Sequence, residues 1–159
     1  MSCLILSVAL IGVNPGDIIL TRNAGSDEVE NQSPGWWNHA AIYVGNGWVI
    51  EAQMGQGVIV TSFDEFCKHY PYIMVLRPRG ACRHRLAAMI NTAKRLVGRP
   101  YDLRASIKFW FFDFRGGDNC VSLVRSCYGY AYGFDPCWKI PDDVAMDRRL
   151  MRVESKGIR

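Results

Sequence analysis

Hydrophobic positions along the chain follow two regimes. Between Pro15 and Pro78 they come in short runs rich in β-branched and aromatic residues, DIILT, HAAIYVG, WVIEAQ, VIVT and YIMVLRP, separated by Gly, Asn or Pro. This spacing predicts strands in an antiparallel meander. Asn46-Gly47 stands between YVG and WVI, and both residues tolerate positive φ, so a two-residue type I′ turn is expected there. Ser62 and Glu65 have capping-box spacing and predict a short helix ending between His69 and Pro71. After Pro78 the period lengthens. Leu86, Met89, Ile90, Ala93 and Val97 recur every three or four residues, as one buried face of a helix that Gly98 stops. Arg99-Pro100-Tyr101-Asp102 reads as a turn, IKFWFFDF is ambiguous between strand and buried loop, and Gly116-Gly117-Asp118-Asn119 punctuates the chain. A second helix is expected from about Cys120, with Leu123, Val124 and Cys127 inward. A short last helix is expected in PDDVAMDRRL, where proline and aspartates suit a first turn and arginines a last one. Strands followed by helices, with no linker or repeat, imply one α+β domain over residues 1–159.

Composition supports one core. The 159 residues are 49% hydrophobic and 21% charged, which excludes a disordered polar chain, and no apolar run reaches the ~18 residues of a membrane span. The opening MSCLILSVALIGV lacks the basic start and cleavage pattern of a signal peptide and reads as a buried strand or short helix. Net charge is +4, but unevenly distributed. Residues 1–76 hold two basic against seven acidic side chains, a net −5, and the remainder seventeen against eight, a net +9. The basic half could face an anionic surface such as nucleic acid, a phospholipid headgroup or a cell-wall polymer, but solvated helix faces account for it better, since no nucleic-acid-binding signature accompanies the charge. Six cysteines without a Cys-x-x-Cys pair or a histidine at zinc spacing indicate neither a metal nor a cofactor. A core of this size needs no disulfide, which favours reduced thiols and a cytoplasmic setting.

Three histidines limit the choice of a base working near neutral pH. His69 and His84 read as solvated helix residues. His39 opens a predicted strand beside Trp36 and Trp37, after a polar loop, where a side chain is ordered by a sheet yet faces a cleft. Glu51 lies on the next strand. A two-residue turn at Asn46-Gly47 pairs positions whose numbers sum to 93, so His39 falls opposite position 54, about three residues from Glu51. Direct contact then requires a bulge or a longer loop. The alternative is a surface carboxylate, which the apolar neighbours Val49, Ile50 and Ala52 disfavour. Cys120 opens an apolar helix, where unpaired amides and the positive dipole end favour a nucleophilic thiolate; the other cysteines read as small packed thiols.

The segments NHAAIYVGNGWVIEAQMGQGVIV, GRPYD and DNCVSLVRSCYGYAYG, in that order, with PGDIIL before them, resemble the circularly permuted NlpC-like branch of the papain-like cysteine hydrolases, the YiiX/YebB-like group, and its lecithin:retinol acyltransferase-like relatives. The resemblance spans roughly residues 14–133. It implies a permuted papain-like fold, an antiparallel sheet packed against helices, with the histidine strand before the cysteine helix. It implies Cys120 as nucleophile, His39 as base and Glu51 as the group orienting the imidazole. Tyr101, Trp37 and Asn119 become candidate substrate contacts, Tyr101 with packing as an equal alternative. The implied activity is thiol hydrolysis of a peptide or amide bond, with cell-wall peptides as an implied substrate, through an acyl-enzyme. Asn119 before the cysteine and the run KFWFF keep a lipid acyl hydrolase or transferase open as an alternative, and a silent binding module of the same fold is a third. Val121-Ser122-Leu123 after Cys120 departs from both branches, which usually show Ser-Glu-Leu or Glu-His-Phe.

Overall fold

The computed structural model describes residues 12–22, 35–101 and 119–156. The expectations for the N-terminal apolar segment, IKFWFFDF and the Gly116–Asp118 turn lie outside those residues. The strands are β1 (Ile18–Arg22), β2 (His39–Gly45), β3 (Trp48–Gln53), β4 (Gly57–Ser62), β5 (Tyr72–Pro78) and β6 (Leu150–Lys156). The helices are α1 (Phe63–His69), α2 (Arg83–Leu96), α3 (Cys120–Tyr132) and α4 (Pro141–Met146). The strands form one sheet in the order β4-β3-β2-β1-β5-β6, with every neighbouring pair antiparallel, and the fold is α+β.

The first four strands form the expected meander, but β5 does not continue it. It pairs with β1, Leu20 opposite Met74, because α1 carries the chain away from the β4 edge and lets β5 close the open edge of β1. Ser62 caps α1 by accepting a hydrogen bond from the Glu65 amide at 3.2 Å. At the other end of the chain the expected helix over PDDVAMDRRL stops at Met146. The Asp147 carboxylate accepts the Arg149 amide and the Trp138 indole N–H, each at 2.8 Å, which turns the chain into β6. Strand β6 was missed: the expected helix reached only its first residue, Leu150, and residues 151–156 were assigned to no element. Helix α2 buries Met89, Thr92, Ala93 and Leu96, whereas Val97 caps its end and stays 40% exposed, so the buried stripe stops one residue short of the expected Val97.

Strand alternation divides the interior in two. Ile18, Leu20, Ala40, Ile42, Ile50 and Ala52 face α2 and α3, meeting Met89, Leu123, Val124 and Cys127. Ile19, Ala41, Val49, Ile73 and Val75 face the other way, against Phe66 of α1 and Tyr70 just after it. With helices on one face and α1 on part of the other, strands β1, β2 and β5 are buried on both sides. That is why they read as nearly continuous apolar runs.

The approach to β2 is held from a distance. The Asp142 carboxylate, in the first turn of α4, accepts the amides of Trp36 and Trp37, each at 3.0 Å. Gly35 permits this approach, since a Cβ there would lie 1.9 Å from Asp142 Oδ2. Replacing Asp142 by Ala leaves two amides without their acceptor, one of them part-buried. Such a loss costs about 1–3 kcal/mol, so the urea midpoint of Asp142→Ala should fall with an unchanged m-value.

Candidate active site

His39 is the first residue of β2 and is 6% exposed; Glu51, on β3, is fully buried. The register that unites them depends on one extra residue. Gly45 pairs with Trp48 around the Asn46-Gly47 turn, but the pairing shifts at Val44, so Tyr43 lies opposite Val49 and Ala41 opposite Glu51. Asn46 and Gly47 take φ of 54° and 77°, as a type I′ turn requires, and Gly45, at φ 93°, takes the strained bulge position. In the unbulged register Glu51 would oppose Ile42 and point to the α2/α3 face. The bulge shifts every residue of β3 by one relative to β2 and puts Glu51 on the same face as His39.

The two side chains are hydrogen-bonded, His39 Nε2 to Glu51 Oε2 at 2.8 Å. The other carboxylate oxygen accepts from Thr61 Oγ1 at 2.5 Å, and Gln53 adds a further hydrogen bond. Burial pushes the Glu51 carboxyl up, but the bond and charge of His39, with Thr61 and Gln53, outweigh it and hold the group below its ordinary range. The imidazole lies against Tyr70, rings stacked at 5.4 Å and 19°, with Phe66 at 6.3 Å.

Cys120 opens α3 and is 8% exposed. Its side chain lies within interaction range of the His39 ring. With Nε2 taken by Glu51, Nδ1 is the nitrogen left to face the sulfur. Burial alone would lower the His39 pKa; its interactions with Cys120 and Glu51, and their charges, raise it from 6.5 to about 10. Cysteine and histidine come from the two sides of the sheet and meet where β2 and α3 both begin. Cys120 is not joined to Cys127 or Cys137.

The remaining candidates fall elsewhere. Asn119 is the N-cap of α3: its Oδ1 accepts the Ser122 amide at 2.8 Å, so its side chain aligns the helix that presents Cys120. Trp37 is buried in the core, while its neighbour Trp36 is 50% exposed. Tyr101 is partly buried against the same core. His69 and His84 are exposed helix residues, as expected. Thr61 and Tyr70 were missed by sequence reasoning. The loop Met54–Gln56 sets the β3–β4 register, Val49 opposite Thr61, and would have placed Thr61 diagonal to Glu51. Tyr70 has no such local signal, because the path of α1 brings it to the ring.

Residues 12–136 match the sequence profile of the permuted papain-like amidase enzymes, the YaeF/YiiX, C92 family. The chain belongs to this family. The crystal structure of YiiX from Escherichia coli O157:H7, described as a metalloprotein, superposes with a TM-score of 0.70 over 90% of this chain and 97% of that one, at 20% sequence identity, and shares its fold. No curated protein matches the sequence. Among the described residues of this chain, no three His, Cys, Asp or Glu side chains converge in a way that could hold a metal ion, and no helix is long and apolar enough to cross a membrane.

The raised pKa of His39 has a definite sign for stability. A group whose pKa is lifted from 6.5 to about 10 contributes its full stabilisation below about pH 6.5 and loses it as pH rises through about 10. Urea midpoints should therefore fall between pH 7 and 10, and fall less in Glu51→Gln, which lacks the anion facing the ring.

Proposed function

We propose that the protein hydrolyses an amide bond in a peptide-like substrate, with Cys120 as nucleophile, His39 as base and then acid, and Glu51 as the group that orients and charges the imidazole. The observation that supports this reading is the placement of the His39 ring, hydrogen-bonded to the Glu51 carboxylate and within interaction range of the Cys120 side chain. A strongly basic imidazole accepts the thiol proton. The sulfur then attacks the carbonyl carbon, and the oxyanion develops beside the Cys120 amide at the start of α3, an N–H with no acceptor within the helix. His39 returns its proton to the leaving nitrogen as the C–N bond breaks, and a thioester joins the acyl group to Cys120. Water attacks the thioester with His39 again taking a proton, and the carboxylic acid leaves as the thiol is restored.

Each further contact at His39 serves this sequence. Glu51 holds the ring through Nε2 and stabilises its positive form, and Thr61 holds Glu51. Tyr70 covers one ring face, excludes water and presents its π-cloud to the cation. The unit acts on both chemical steps, so its members are coupled.

Iodoacetamide at mildly acidic pH should label Cys120 before the other five thiols, as mapped by mass spectrometry; equal labelling would remove the nucleophile assignment. Against cell-wall peptides and other amide substrates, Cys120→Ala and His39→Ala should each remove nearly all turnover, and the double variant should be little worse than either. Glu51→Gln should keep part of the activity, with the alkaline limb of its pH profile displaced downward from about 10. Cys120-dependent release of fatty acid from phospholipid, with no amide cleaved, would replace the amide reading by the lipid one.

A further inference from the structure

Strand β1 ends beside the proposed catalytic pair. Thr21 lies opposite His39, and Arg22, the next residue, lies opposite Tyr72 on β5. Alternation sends the Arg22 side chain to the face shared by Ile18 and Leu20, the face from which α3 brings Cys120. The half-buried guanidinium lies over the indole of Trp36, Cζ 4.6 Å from the ring centroid, and one of its nitrogens donates to the Trp36 carbonyl. The indole meets Tyr72 edge-on at 5.8 Å and is held at its backbone by Asp142.

Two observations make this more than packing. Arg22 has five N–H donors; among the described residues one of them is given to Trp36 and no carboxylate pairs with it, whereas Arg77, Arg125 and Arg149 each have one. Trp36 is a large aromatic left half in solvent, three residues before His39, although its neighbour Trp37 is buried. A fixed guanidinium fork beside an exposed planar wall suits a carboxylate carried on an apolar or planar group.

Resting on the cysteine hydrolase reading, we propose that Arg22 and Trp36 form a subsite beside Cys120 for a carboxylate-bearing residue, so that the preferred substrates are amides whose neighbouring residue is acidic or carboxyl-terminal. Arg22 binds the carboxylate, Trp36 carries the body of that residue, and Asp142 and Tyr72 keep the indole in place. Neutral amides of the same size lose the guanidinium contact and bind less well.

The test uses two maleimides with arms of equal length, one ending in a carboxylate and one in a primary amide, and follows addition to Cys120 by mass spectrometry in the full-length protein. The charged reagent should react about five-fold faster, the size expected of one nearby unit charge in a partly wet site. Arg22→Met should remove most of that preference while the uncharged reagent reacts at its original rate, which also shows that the site is intact. Arg22→Lys should keep part of it, because the charge survives and the fork does not. Since His39 is present in all three proteins, its pull on the anion cancels. A preference unchanged in Arg22→Met, or none in the wild type, overturns the subsite. Failure of both reagents at Cys120 while other thiols react overturns the nucleophile itself.

Discussion

Glu51 has no exposed surface, and a carboxylate sealed from water persists there only because its charge is met on every side. His39, Thr61 and Gln53 meet it. Three consecutive strands supply these groups to one spot on one face, so the register of two hairpins must be right to the residue. The bulge at Val44 is the device that achieves this. Without it the carboxylate would turn into the apolar layer between the sheet and α2/α3, away from the imidazole, as an uncompensated buried charge.

The same constraint organises the ring. Held at Nε2 by Glu51 and covered by Tyr70, the imidazole has little freedom, and its remaining nitrogen is presented to the start of α3. The helix is aligned in turn by Asn119, and the approach to β2 by Asp142 from the far end of the chain. The sulfur and the ring therefore meet between two rigid elements, each with its own cap or anchor. Such support lets the two side chains keep their geometry.

The meander β1–β4, the Asn46-Gly47 turn, the Ser62 cap and the start of α3 at Cys120 were legible in the sequence, because each rests on contacts within a few residues. His39, Glu51 and Cys120 were legible as chemical types: a lone well-placed histidine, an acid among apolar neighbours, a cysteine at a helix start. Their order along the chain pointed to the permuted papain-like family, to which the chain belongs.

Tertiary structure decided the rest. Whether Glu51 faced His39 depended on a one-residue bulge, which no turn rule reveals because its energy comes from the charge it allows to be paired. The pairing of β5 with β1, the addition of β6, and the arrival of Tyr70 at the imidazole depended on elements far apart in the chain and on which faces were left to bury. Local sequence sets turns and caps because their hydrogen bonds close over a few residues. The meeting of residues 39 and 120 is set by how a two-faced sheet covers both its sides.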